Sequence, residues 1–144
     1  MQISSPAFSN GQNLPSKFTC DGAETIPSLS FSDIPSNTAS LAVIMDDPDA
    51  PSGDFVHWVV FNIPPTTASF TEGQTPPGIV GRNSIGTNVY VGPCPPSGTH
   101  HYQFKLYALD VVLNLDETGG RAEVFKAIEG HVLAQGELVG LFGR

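Results

Sequence analysis

Residues 39–63 read ASLAVIMDDPDAPSGDFVHWVVFNI, and this stretch decides the fold. Ala39 to Met45 is an almost unbroken apolar run, too short for a helix, and Phe55 to Ile63 is a second one. Short continuous apolar runs bounded by turn residues read as strands buried on both faces. The connection between them holds Pro48 and Pro51, each of which removes a backbone donor and fixes φ. It is therefore a stiff, shaped loop between two central strands rather than a linker.

Working outward, His101 to Leu109 reads as a third strand, with Tyr102, Phe104, Leu106 and Ala108 on one face and Gln103, Lys105 and Tyr107 on the other. Another stiff loop precedes it: residues 92–99 hold three prolines and two glycines. Ser28 to Phe31 alternates as a short strand with Leu29 and Phe31 inward, and Asn10-Gly11 suits a hairpin turn. Residues 66–90 are turn-rich and predict an irregular excursion with one short strand at Ile79-Val80. Apolar recurrence at Val124, Ile128 and Val132, widened by Phe125 and Leu133, predicts a helix over Arg121 to Gln135. Thr118 would cap it, His131 would sit within it, and Gly130 inside it implies a close packing contact. Glu137 to Phe142 then returns as a last strand. With 15 glycines and 13 prolines in 144 residues, long helices are disfavoured, and no linker divides the chain. The expectation is one domain, 1–144, mainly antiparallel β with one late helix.

The charge is lopsided: 14 Asp and Glu against 6 Lys and Arg, a net of −8. That excludes a nucleic-acid face and an anionic-membrane helix, both of which need basic residues. No apolar run reaches the roughly 20 residues of a membrane span. The N-terminal segment lacks a basic start and an apolar core, so the expected location is cytoplasmic. In a reducing compartment Cys20 and Cys94 default to free thiols, with their pairing undetermined by sequence.

The chemically versatile side chains gather at the ends of the buried strands. Asp47 and Asp49 are two apart and in an extended segment would face the same way, as would His100 and Tyr102. His57 lies near the start of an otherwise apolar strand. Two acids, two imidazoles and a phenol could meet at one sheet edge, where donors on stiff loops make a small anion site. Each residue also has a structural reading: turn capping for Asp47 and Asp49, a satisfied core imidazole for His57, a solvent-facing pair for His100-His101, core aromatics for Trp58 and Tyr102. Cys94 reads better as a small buried hydrophobe than as a nucleophile. Ser52 lacks an elbow motif. Asp47, Asp49, His57 and His100 have metal-ligand chemistry but no ligand-spacing signature.

The segments DDPDAPSGDFVHWVVFN and GPCPPSGTHHYQFKLYAL together resemble the two signature regions of the phosphatidylethanolamine-binding protein family, in its shorter bacterial and archaeal Raf kinase inhibitor-like branch. SPAF, LPSKFTCDG and IPSLSF are similar to that branch's opening, and AIEGHVLAQGELVGLFGR to its close. The resemblance implies a large antiparallel sheet packed on a smaller one, and a small pocket for phosphate or phosphorylated head groups. By motif, it assigns ligand contacts to Asp47, Asp49, Pro51, His57, His100 and Tyr102, with the Cys94-Pro95 backbone at the pocket wall. It implies cis peptides at Asp47-Pro48 or Ala50-Pro51. His101 stands where the family usually has arginine, which weakens the expected attraction for a second anionic group. The C-terminal extension that lines the pocket mouth in the eukaryotic members is missing, so the resemblance alone does not transfer their lipid binding and kinase inhibition.

The expected function is a small-anion binding domain, not an enzyme, without cofactor or metal. The alternatives are a protease- or kinase-inhibiting interaction protein, using the loop from Thr71 to Arg82, and a metal- or thiol-dependent hydrolase. A homodimer is implied by the bacterial relatives.

Overall fold

A computed structural model describes all residues, 1–144. In chain order the elements are β1 (Gln2–Ser4), β2 (Gln12–Asn13), a 3-10 turn (Ser16–Phe18), β3 (Leu29–Ser32), β4 (Ser40–Asp47), β5 (Phe55–Ile63), β6 (Ser69–Phe70), β7 (Ile79–Val80), β8 (Thr99–Leu109), α1 (Arg121–Ile128) and β9 (Val132–Gly143). They form a six-stranded sheet in the order β2-β9-β8-β4-β5-β7 and a three-stranded sheet in the order β1-β3-β6. The chain is thus mainly β with one helix, as its apolar patterning predicts. No helix is long and apolar enough to cross a membrane.

β4 is the centre of the large sheet, antiparallel to both β5 and β8. All eight of its residues are buried because both of its faces are covered. Leu41, Val43 and Met45 pack with Trp58, Phe104 and Leu106 against Leu29, Phe31 and Phe70 of the small sheet. Ala42 and Ile44 face the other way, beneath Val124 and Ile128 of α1 and Leu113. The continuous apolar run is therefore the imprint of a strand between two layers.

The helix is shorter than its periodicity predicts. α1 ends at Ile128, and Val132, Leu133 and Gln135 belong to β9. Gly130 lies outside the helix at φ +78°, with open space where a Cβ would be, so it serves chain reversal and not close packing. The twelve residues of β9 pair along nearly all of β8, a ladder that outweighs one more helical turn. His131 lies in the reversal, where its Nδ1 is 2.8 Å from Asp110 Oδ1. Gly120 takes the N-cap position in place of Thr118, whose hydroxyl binds Asp116. Asn10-Gly11 closes no hairpin either: β1 pairs with β3, and β2 runs parallel to β9. Every peptide bond is trans, Asp47-Pro48 and Ala50-Pro51 included.

α1 is tied to the sheet by charge. Arg121 Nη1 donates to Asp46 Oδ2 at 2.9 Å, and Lys105 Nζ reaches the same oxygen at 3.3 Å.

Candidate functional site

Antiparallel pairing brings the end of β4 beside the starts of both its neighbours. Asp47 stands opposite Phe55 on β5, and Asp46 opposite Gln103 on β8. Asp47, His57, His100 and Tyr102 therefore come from three strands to one sheet end, as the alternation of each strand predicts. The two proline-rich loops wall off the space above them. The result is a cavity of about 200 Å³ lined by these four side chains, by Pro51 of the first loop and by Cys94 and Pro95 of the second. Ser52, weighed as a nucleophile and set aside, also lines the wall, and Phe55, Val91, Gly92 and Pro96, which sequence patterning did not single out as site residues, complete much of it.

The polar groups are held in defined roles. His100 Nδ1 lies 2.7 Å from Asp47 Oδ2, with both side chains more than nine-tenths buried. The other oxygen of Asp47 accepts the Asp49 N–H at 2.9 Å, so one carboxylate fixes both the imidazole and the loop. His57 Nδ1 donates to Val91 O at 2.7 Å. Burial pushes the His57 pKa below the ordinary histidine value, against a smaller upward pull from that hydrogen bond. His57 is thus neutral near pH 7, with Nε2 an acceptor.

Tyr102 stands between the two imidazoles: it packs edge-on to His57 with centroids 5.4 Å apart and is stacked on His100 at 6.3 Å. Its hydroxyl is buried without a hydrogen-bond partner. Burial, reinforced by Asp47 and Asp49, raises its pKa far above the ordinary phenol value, so the group remains an O–H donor.

Asp49 departs from expectation. The chain turns at Pro48, so Asp47 and Asp49 do not share a face: Asp47 is buried and Asp49 exposed. Asp49 Oδ2 accepts the His101 backbone N–H and lies 2.8 Å from His101 Nδ1. Those hydrogen bonds, the side-chain one first, lower the Asp49 pKa. Asp49 is absent from the cavity wall; it clamps the first loop to β8, and His101 is engaged in that clamp.

The cysteines overturn two expectations. Cys20 and Cys94 form a disulfide across 74 residues, and no thiol is free. The default of free thiols weighed compartment alone, whereas the fold itself aligns the segments: Cys20 N–H donates to Pro93 O at 3.0 Å. Cys94 is exposed, not a buried hydrophobe, and as a disulfide partner it cannot serve as a thiol nucleophile. Asp47, Asp49, His57 and His100 do not assemble into a metal-holding group.

Two further residues support the second loop. Glu24 Oε1 accepts the Gly92 N–H at 2.9 Å. A Cβ at Gly92 would lie 2.7 Å from Phe18 O and 2.8 Å from Glu24 Cγ, so the approach requires glycine. Arg144 Nε donates to Pro95 O at 3.1 Å, and its Nη2 to Asp21 at 3.1 Å. No local signal marks Glu24 or Arg144, since their partners are distant in sequence.

Comparison with known proteins agrees with this architecture. The sequence pattern of the family described as phosphatidylethanolamine-binding protein matches residues 4–143. A UPF0098 protein of Methanothermobacter thermautotrophicus is 47% identical, the match covering 100% of this chain and 99% of that protein. Another, from Chlamydia muridarum, is 44% identical, covering 99% and 98% respectively. Among solved structures, CT736 of Chlamydia trachomatis, described as a phosphatidylethanolamine-binding protein homolog, superposes with a TM-score of 0.96 at 39% identity, covering 99% of this chain and 97% of that one. Escherichia coli YbcL, described as a member of the mammalian family, superposes at 0.91 with 32% identity, covering 99% and 98%.

Proposed function

The chain belongs to the phosphatidylethanolamine-binding protein family, and from that premise we propose that its cavity binds a small protonated oxyanion: hydrogen phosphate or a phosphomonoester head group. The observation that carries the reading is the buried Tyr102 hydroxyl, which has no protein partner beside two imidazoles whose Nδ1 atoms are both engaged. A buried hydroxyl without a partner costs about 1–3 kcal/mol, a cost that a bound ligand oxygen removes. Tyr102 donates to one such oxygen. His57 Nε2, an acceptor, takes the hydrogen of a P–OH group. His100, oriented by Asp47 through Nδ1, lines the same space and leaves Nε2 for the ligand.

The net charge of −8 does not oppose this, because the contacts are local and the Asp47 carboxylate is already paired with His100. Pro51, Pro95 and Pro96 stiffen the walls, so little ordering is left to the moment of binding. Asp49 contributes indirectly, through its clamp on His101. We read the protein as a binding module and not a catalyst, since the thiol in the cavity wall is tied in a disulfide. We keep the cytoplasm as its proposed location; recovery of the protein in an extracytoplasmic fraction would overturn that placement.

Titration of inorganic phosphate against inorganic sulfate, followed through the histidine ring resonances, tests the reading. Phosphate is expected to shift His57 and His100 at millimolar concentrations or below. Sulfate, which carries no proton near neutral pH, is expected to bind at least about tenfold more weakly, because it leaves His57 Nε2 without a donor. Unmoved His57 and His100 signals in saturating phosphate would sink the proposal.

A further inference from the structure

We propose that the Cys20–Cys94 disulfide is a thiol–disulfide exchange site for a dithiol reductant, and that its reduction loosens the cavity wall. Three observations carry this. The bond is accessible, since Cys94 is exposed and Cys20 half-buried. A cation lies on it: Arg144 Nη2 is 3.0 Å from Cys20 Sγ and 3.4 Å from Cys94 Sγ. Cys94 is itself part of the cavity wall, beside Pro95 and Pro96.

The chemistry is set by that placement. A thiolate of the dithiol attacks Sγ of Cys94, the more exposed residue of the pair, and the bonding pair leaves on Cys20 Sγ. The departing thiolate is the sulfur nearest the Arg144 guanidinium, and a neighbouring cation favours a leaving thiolate. The second thiolate of the dithiol attacks its own sulfur in the mixed disulfide and releases Cys94. Two electrons pass to the protein, the dithiol becomes a disulfide, and its two protons end on Cys20 and Cys94.

The consequence falls on the second loop. Before Cys94 it is held by Cys20 N–H to Pro93 O and by Glu24 to Gly92 N–H. After Cys94 the cavity wall is held by Arg144 to Pro95 O. Reduction removes the covalent tie between these anchors and frees Arg144 from the sulfurs, so the wall must be ordered when a ligand binds. This half of the proposal rests on the anion-binding reading; the exchange site does not.

The test uses the intact oxidised protein under native conditions. Reduction by dithiothreitol is quenched with iodoacetamide, and the added groups are counted by mass. The expected rate rises in proportion to dithiothreitol and exceeds the unfolding rate extrapolated from urea. Arg144→Gln also loses the bonds to Pro95 O and Asp21, so its own unfolding rate is measured in urea alongside; the part of its reduction rate that is proportional to dithiothreitol is expected to fall severalfold. A reduction rate that levels off at the unfolding rate overturns the exchange site, and an unchanged rate in Arg144→Gln overturns the role of the cation. Inorganic phosphate is then titrated into oxidised and reduced protein, with the Cys20→Ser/Cys94→Ser variant as a second form without the bond. Affinity is expected to fall about three- to tenfold without the bond, the scale of one mobile wall segment ordered on binding. Equal affinity in all forms overturns the coupling. If the oxidised protein takes up no phosphate, the anion reading fails and the coupling with it, while the reduction rates still decide the exchange site.

Discussion

Asp47 and His100 are separated by 53 residues and meet at 2.7 Å, a carboxylate and an imidazole both withdrawn from solvent at one end of the large sheet. Around this pair the site is built: one carboxylate oxygen orients the ring, and the other holds the loop that continues from β4.

Asp47→Asn should therefore damage binding and folding together. The amide keeps the volume but loses the charged acceptor, at an expected cost of about 1–3 kcal/mol in urea unfolding. Phosphate affinity should fall by an order of magnitude. Asp49→Asn, whose hydrogen bonds with His101 are exposed, should change stability by less than about 1 kcal/mol. Similar losses in the two variants would contradict the separation of roles.

Tyr102→Phe should split the two properties. The hydroxyl makes no hydrogen bond within the protein, so its removal should leave stability equal to or above that of the parent. Phosphate affinity should fall about 10- to 150-fold, the worth of one hydrogen bond to a charged ligand. Thermal unfolding and calorimetric titration on the same samples check both halves.

His57 makes stability depend on pH in a predictable direction. Its folded pKa is depressed by burial, so below about 6.5 the unfolded chain takes up a proton that the folded chain resists. The His57 contribution is present above that pH and is lost as pH falls toward the folded pKa. His57→Gln should flatten this part of the curve of unfolding free energy against pH. An identical slope in parent and variant across the range from about pH 7 to about pH 5, which brackets the ordinary histidine value, would refute the assignment.

Gly92→Ala tests the second loop. The added methyl meets a backbone oxygen and the Glu24 side chain at under 3 Å, so the segment must shift. The expected cost is about 1–3 kcal/mol, with weaker phosphate binding from the displaced wall. Gly98→Ala meets no neighbour, though its φ of +71° carries a strain of about 1 kcal/mol, and it should leave affinity unchanged.

Several features were legible in the chain because they are local. The strands at Phe55–Ile63 and Ile79–Val80 match their apolar runs, and His100 and Tyr102 share a face because strand alternation has period two. The errors have local causes as well. Val132 and Leu133 continue a helical stripe by spacing, but Gly130 at positive φ ends the run and the edge of β8 recruits the residues beyond it. Asp47 and Asp49 share a face only while the chain stays extended, and Pro48 turns it.

The antiparallel β architecture, the buried central strands, the two stiff loops and the residue types at their ends can be read from the chain, because periodicity and proline act within a few residues. Which groups became partners was settled by long-range packing. Glu24 reaches Gly92 across 68 residues, Arg144 reaches Cys20 across 124, and Cys94 bonds Cys20 and so opens a route for thiol exchange at the cavity wall. Those contacts form where the loops before β3 and β8 meet the end of β9, and strand order in a sheet is set by packing over the whole chain, which no single stretch of residues encodes.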